Sequence, residues 1–240
     1  MKITSINNEK VIYWAKLKMK KYRDVEHLFL VESPHLVEEA LKKGCVKEII
    51  TLEDKEYPNI PTYTVTEKIM ERISSLTNPS KIMAVCDYIA PDDINGNVLL
   101  LDRIQDPGNL GTMIRSAVAF DFKTVITSPD TVDYYNDKVI RSSEGMLFKE
   151  NIIKDDLYSI IDLLKQKGYK IIGTDVIRGK SYHEFKDNKI ALLIGSEGKG
   201  LSIDLKEKCD DFIYIKMNNQ CESLNAAVAA SIIMGGIYDK

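Results

Sequence analysis

The sequence predicts an α/β protein in two parts: a smaller α/β domain over residues 1–90 and, after a linker at 91–97, a larger parallel-sheet domain over 98–240. Three observations predict it. Short apolar or β-branched runs alternate with helical stretches, the order that builds a parallel sheet covered on both faces. The runs Val98-Leu99-Leu100-Leu101 and Ile190-Ala191-Leu192-Leu193-Ile194 lack polar alternation, which suits strands buried on both faces. A polar, turn-rich stretch with Pro91-Asp92-Asp93 and Asn95-Gly96-Asn97 separates the two parts.

In the first part, 11–17 reads as a short amphipathic helix carrying Trp14 and Leu17. It leads into a basic run of Lys16, Lys18, Lys20, Lys21 and Arg23, with no acid before Asp24. Two readings of that run stand: a solvated helix end, or a patch for a nucleic-acid backbone. Strand 28–31 passes into a helix over 35–43, bounded by Pro34 at the first turn and Gly44 just past the end. Strands at 46–52 and 62–65, a helix at 67–75 and a strand at 82–88 close the unit.

In the second part, strand 98–101 is followed by a turn-rich loop at 106–111 and a helix at 112–120 carrying Arg115. Strand 124–127, a helix over 157–167 ended by Gly168, strand 169–173 leading into Thr174-Asp175, and strand 190–194 come next. A glycine-rich loop at 195–200 and a short helix at 202–208 precede strand 213–217, which stops at Asn218-Asn219. Glu222-Ser223-Leu224-Asn225 then opens an alanine-rich helix. It has no charged side chain from Asn225 to Met234, so it is expected to be buried on most sides, with Ala226, Ala227, Ala229 and Ala230 allowing close approach of another backbone.

Composition excludes several classes. At 44% hydrophobic and 29% charged residues, with no apolar run near the ~20 residues that span a bilayer and a polar N-terminus, the chain reads as cytoplasmic. Cys45, Cys86, Cys209 and Cys221 are scattered and stand apart from the three histidines, so neither a metal site nor a disulfide framework is expected. A net charge of −3 argues against coating nucleic acid by overall basicity, but not against a local patch.

Three places could carry chemistry. The loop Gly195-Ser-Glu-Gly-Lys-Gly200 is followed by Leu201 and has Ile203 where a third glycine would stand, so it is neither a P-loop nor a dinucleotide fingerprint. It is open to reading as a plain tight turn or as a ligand loop at the end of a buried strand. Asn109 sits where the following helix would begin, as N-cap or as site residue. Arg115, in a helix of small and apolar residues, would demand a partner if buried, and a guanidinium matches phosphate. Ser223 is likewise open to both cap and site roles.

The motifs Asp106-Pro-Gly-Asn-Leu-Gly-Thr-Met-Ile-Arg-Ser-Ala117, Leu193-Ile-Gly-Ser-Glu-Gly-Lys-Gly-Leu-Ser202 and Ile215-Lys-Met217 with Glu222-Ser-Leu-Asn-Ala-Ala-Val-Ala-Ala230 resemble, in order, the three motifs of the SPOUT methyltransferases, SpoU (TrmH-like) branch. The first part, with Phe29-Leu-Val-Glu-Ser-Pro-His-Leu-Val-Glu-Glu-Ala40, resembles the ribosomal-protein-like RNA-binding domain of ribosomal RNA members. The region Lys138-Val-Ile-Arg141-Ser-Ser-Glu-Gly145 departs from the family, which more often has a small residue at the Glu144 position, and Asn218 to Cys221 replaces a commoner glycine-containing loop.

The resemblance implies a trefoil-knotted sheet, S-adenosylmethionine as cofactor, a homodimer through the catalytic domain, and 2′-O-methylation of a ribose in ribosomal RNA, most readily of the large subunit. Alternatives are a transfer RNA ribose or base as acceptor, or a non-catalytic RNA-binding or assembly protein. Carried over, the cofactor lies among Thr174, Ile194, Gly195, Glu197, Gly200, Ile215, Met217, Ser223 and Leu224. The catalytic group is Asn109, Arg115, Glu197, Ser223 and Asn225. Lys16, Lys18, Lys20, Lys21, Arg23, Arg115 and Arg141 are expected to face RNA.

A guanidinium with a pKa above ~12 is a poor base, so Arg115 is expected to stabilise the developing oxyanion and grip the adjacent phosphate. Arg115→Ala is therefore expected to lower turnover by about 10²–10³-fold while leaving S-adenosylmethionine affinity nearly intact. Single-turnover kinetics beside calorimetric titration would check this, and turnover within a few-fold of wild type would refute it.

Overall fold

The computed structural model describes residues 1–177, 179–185, 189–218 and 220–239, so Asn219 of the expected polar loop lies outside the described residues. The chain forms two compact units, Met1–Ala90 with Tyr135–Phe148, and Pro91–Tyr134 with Lys149–Lys240.

The first unit runs β1 (Lys2–Ile3), α1 (Glu9–Lys16), α2 (Lys20–Glu26), β2 (Leu28–Glu32), α3 (Pro34–Lys43), β3 (Val46–Thr51), β4 (Thr62–Val65), α4 (Glu67–Ile73) and β5 (Ile82–Asp87). Its sheet has the order β1-β4-β3-β5-β2, with β4 parallel to β1 and β3, and β5 antiparallel to β3 and β2. The local sequence explains the ends of α3. Ser33 Oγ accepts the Leu36 N–H at 3.3 Å, Pro34 supplies a helical φ at the first turn, and Gly44 closes the helix at φ +77°. The core gathers Val11, Trp14, Leu17, Ile50, Tyr63, Ile69 and Met70, and the Trp14 indole N–H donates to Glu48 at 2.8 Å, so its polar atom is satisfied.

Chain order places residues 135–148 in the second domain, but their contacts group them with the first unit. Tyr135 stacks on both Phe29 and Tyr88, at centroid distances of 4.4 and 4.1 Å, and its hydroxyl accepts the Ile89 N–H at 2.7 Å. Burial of these large rings outweighs sequence adjacency. Glu144, at the position that departs from the family pattern, adopts a left-handed φ of +49° within this segment.

The second unit begins with β6 (Asn97–Leu101), α5 (Pro107–Ala119) and β7 (Phe122–Thr127). The chain then supplies α6 (Asp137–Ser142) to the first unit and returns with β8 (Asn151–Lys154), α7 (Leu157–Gln166), β9 (Lys170–Thr174), β10 (Ile190–Ile194), α8 (Ile203–Glu207), β11 (Asp211–Ile213) and α9 (Ala226–Tyr238). The six strands are parallel throughout, in the order β11-β9-β10-β6-β7-β8. As their unbroken apolar sequences require, β6 and β10 lie at the centre, with Val98 to Leu101 fully buried and Ile194 only 3% exposed.

Three of the boundaries that differ from the sequence reading bear on the site. Helix α5 starts at Pro107 and is capped by Asp106, whose carboxylate accepts the Gly108 and Asn109 N–H groups at 2.6 and 3.1 Å, so Asn109 lies inside the helix and is not its cap. Strand β11 covers Asp211–Ile213 where 213–217 was expected. Its register with β9 ends at Ile213 opposite Thr174, Ile213 also bridges to Lys180 on its other side, and among the described residues Ile215 and Met217 have no ladder partner. Helix α9 is capped by Asn225, not Ser223, and runs through Gly235 and Gly236 to Tyr238. Glycine is needed there, because a Cβ on Gly236 would lie 2.1 Å from the Tyr182 ring. Nor is α9 buried on most sides of the single chain: Ala227, Ala230, Ile233, Met234 and Ile237 are buried, while Val228 and Ile232 are exposed.

Glu150, just before β8, is buried, and burial lifts its carboxyl to about 8 against the opposing pull of the Asn151 N–H and Lys123. Because the folded value lies above the ordinary 4.5, Glu150's contribution to stability is fully present below about pH 4.5 and is lost as pH rises through about 8. Glu150→Gln is expected to melt higher than wild type near pH 8, with the difference vanishing near pH 4. Thermal melts across this range would read the convergence.

Candidate active site

The C-terminal ends of β9, β10 and β11 and the segment leading into α9 surround one cavity of about 430 Å³, in the place where parallel sheets hold ligands. All nine residues expected around a cofactor line it: Thr174, Ile194, Gly195, Glu197, Gly200, Ile215, Met217, Ser223 and Leu224. The chain beyond β11 supplies the apolar wall of Ile215 and Met217. The loop after β10 is both a tight turn and a wall of the cavity. Ser196 and Gly200 exchange backbone hydrogen bonds of 3.2 and 2.9 Å, and a Cβ on Gly195 would lie 2.2 Å from the Gly200 carbonyl carbon.

A chain of hydrogen bonds joins three distant segments. Asn225 Nδ2 donates to Asn109 Oδ1 at 2.9 Å, and Asn109 Nδ2 donates to Glu197 Oε1 at 2.9 Å. Asn225 Oδ1 accepts the Ala227 and Val228 N–H groups at 2.9 and 3.2 Å, which is the N-cap of α9. Burial pushes the Glu197 carboxyl up, but the Asn109 amide and the N–H groups of Gln105 and Asp106 outweigh it and hold Glu197 below the usual carboxylate range. Glu197 is thus an ionised acceptor at neutral pH, not a reservoir of protons.

Arg115 lies on the exposed side of α5, opposite Leu110, Met113, Ile114 and Ala117, and has no hydrogen bond or ion pair among the described residues. The sequence reading left the burial of Arg115 open, and the structure leaves its guanidinium exposed. Ser223 is exposed at the cavity wall.

The basic run in the first unit divides. Lys16, Lys18, Lys20 and Lys21 are exposed, with Lys16 and Lys21 over the Tyr22 ring at 5.5 and 4.9 Å. Arg23, expected to face RNA, is 5% exposed, and its guanidinium donates to the Leu17 and Lys18 carbonyls at 3.0 and 2.9 Å, satisfying the end of α1. Arg141 on α6 pairs with Asp137 at 2.6 Å.

Sequence reading missed Asp175 and Lys206, which line the cavity 3.9 Å apart. Asp175 carried a signal, since it directly follows Thr174 at a strand end; Lys206 carried none. The cavity fits an adenosine-bearing sulfonium. Its volume lies in the range of cofactor pockets, Ile194, Ile213, Ile215, Met217 and Leu224 offer apolar surface, and Glu197 offers negative charge for a cationic group. No group of three or more metal-ligating side chains occurs among the described residues.

Residues 96–235 match the SpoU rRNA Methylase family, and residues 8–84 match the MRM3-like substrate binding domain. The chain is 40% identical to the 23S rRNA (guanosine(2553)-2′-O)-methyltransferase RlmP of Bacillus subtilis, covering 97% of both chains. It superposes on the AdoMet-bound rRNA methyltransferase from Sinorhizobium meliloti with a TM-score of 0.89 at 26% identity, covering 99% of this chain and 97% of that one. It also superposes on the SpoU methyltransferase AviRb from Streptomyces viridochromogenes, in complex with AdoMet, with a TM-score of 0.86 at 25% identity, covering 97% of both. The match to the SpoU model and these superpositions define an α/β methyltransferase of the SPOUT class. Within that class the chain belongs to the SpoU rRNA methylase family.

Asn225→Asp separates capping from the hydrogen-bond chain, because a carboxylate still accepts from Ala227 and Val228 but cannot donate to Asn109. The melting temperature is expected to stay within a few degrees of wild type, while kcat/KM falls about tenfold or more. Thermal melts and initial-rate kinetics on the same preparation would check it.

Proposed function

We propose that this protein transfers the methyl group of S-adenosylmethionine to the 2′-hydroxyl of a guanosine ribose in 23S ribosomal RNA, as the name of its Bacillus subtilis relative describes for that enzyme. The observation that carries the reading is the convergence on one cavity of all nine residues expected around the cofactor. When bound, S-adenosylmethionine supplies an electrophilic methyl on a positively charged sulfur. The ribose oxygen bonds to the methyl carbon as the carbon–sulfur bond breaks, the electron pair stays on the sulfur, and the hydroxyl proton leaves to solvent.

In this reading the residues have separate tasks. The folded-back loop and the Ile215, Met217 and Leu224 wall exclude water around the adenosine and hold it against backbone. Glu197 contributes negative charge beside the sulfonium and, through Asn109 and Asn225, keeps loop, α5 and α9 in register. Arg115, unpaired among the described residues, donates to the substrate phosphate and the developing oxyanion.

The first unit holds the RNA, with Lys16, Lys18, Lys20 and Lys21 contacting the backbone. A second copy of the chain covers the apolar stripe of α9, where Val228 and Ile232 are 46% and 38% exposed, giving a homodimer through the catalytic domain. No helix among the described residues is long and apolar enough to cross a membrane, and ribosomal RNA as substrate puts the enzyme in the cytoplasm.

The test is incubation with tritiated S-adenosylmethionine and total RNA from a strain lacking the gene. Label is expected in 23S ribosomal RNA, in an alkali-resistant dinucleotide, because a 2′-O-methyl group blocks cleavage at that ribose. Label on a base, or in transfer RNA, would overturn the assignment.

A further inference from the structure

The exit of β6 holds an arrangement that the motif reading did not use. Arg103 has a backbone φ of +56°, a conformation that glycine adopts freely and arginine rarely does. It is held there by its own N–H, which donates to the buried Ser128 Oγ at 2.9 Å. Such a strained backbone persists where the surroundings over-determine it, and it is often associated with a functional constraint.

The side chain makes a two-pronged contact: Nε and Nη2 donate to the two carboxylate oxygens of Asp102, each at 3.0 Å. Asp102 is only 4% exposed, and its Oδ2 also accepts the Ser202 N–H at 3.1 Å. Arg103 Nη2 in turn reaches the Gly200 carbonyl at 3.5 Å, the same oxygen that accepts the Ser196 N–H. The pair therefore grips the glycine loop at Gly200 and at Ser202, on the side where the loop returns to the sheet.

We propose that Asp102 and Arg103 form a positioning pair for methyl transfer: their guanidinium–carboxylate fork holds loop 195–202 in the shape that receives the cofactor, without touching the reacting atoms. A fork of two parallel hydrogen bonds fixes direction as well as distance, which a lysine at the same place could not do. The left-handed backbone at Arg103 is what aims the fork at the loop. This inference rests on the reading of the cavity as the S-adenosylmethionine site.

Arg103→Gly tests it, because glycine suits the backbone while removing the fork, and Arg103→Lys keeps the charge without it. Arg103→Gly relieves the left-handed backbone but leaves the buried Asp102 carboxylate without its guanidinium, so it is expected to melt below wild type while still folding, which thermal melts would read. Calorimetry is expected to show about tenfold weaker S-adenosylmethionine binding, the scale of one charge-assisted hydrogen bond. The KM for cofactor should rise by the same factor while kcat at saturating cofactor falls by less than about threefold, with Arg103→Lys intermediate. Unchanged cofactor affinity in folded Arg103→Gly would overturn the proposal. So would a loss confined to kcat or to the KM for RNA, which would make Arg103 a substrate contact. Failure of the wild-type protein to bind S-adenosylmethionine would instead overturn the reading of the cavity, and the proposal with it.

Discussion

A group that can only accept hydrogen bonds and a helix end that can only donate them face each other across the active site, and the site depends on what lies between them. Glu197, ionised, accepts; the first turn of α9 donates. Asn109 and Asn225 bridge the two, and each must turn its amide one way for the bonds of 2.9 Å to form. The direction of the whole chain is thereby set from both ends. Each bond contributes about 1 kcal/mol net, or about twice that where the carboxylate takes part, which is small beside the burial of the central strands. The chain therefore matters for orientation more than for stability: it holds three segments separated by 88 and 116 residues in a single arrangement.

The parallel sheet makes that arrangement possible. Strands β6 and β10, buried on both faces, end side by side, so α5 and the glycine loop emerge next to each other. Gly195 lets the loop fold onto its own backbone, since any side chain there would meet Gly200 and Leu201. The short edge strand β11 releases the chain early, and the apolar residues that would have extended it become cavity wall.

The first unit shows a parallel division of labour among charges. Arg23 is buried against the Leu17 and Lys18 carbonyls just past α1, while the four lysines of the same run are exposed, Lys18 donating to the Ser74 carbonyl and Lys20 pairing with Asp24. The planar, multiply donating guanidinium suits a fixed buried acceptor set, and the hydrated ammonium suits a surface that meets a mobile phosphate backbone.

Much of this was legible in the sequence. Most of the strand and helix order, the caps of α3 and the buried character of β6 and β10 follow from local chemistry, while the residues around the cavity were named through the resemblance of the motifs to a known family. Tertiary structure decided the rest. Tyr135 and Phe148 join the first unit because aromatic surface pairs without regard to chain order. Asn225 became the cap of α9 while Ser223 faced the cavity, a choice between two good capping residues that only the path of the loop could make. Arg115 stands free and Arg23 does not, because burial is a property of the packed molecule and not of the residue. The sequence by itself thus determined the class, the motifs and the residues available for chemistry. Which of them became caps, walls, forks or free charges was settled by hydrogen bonds and packing between segments too distant in the chain for any local pattern to encode.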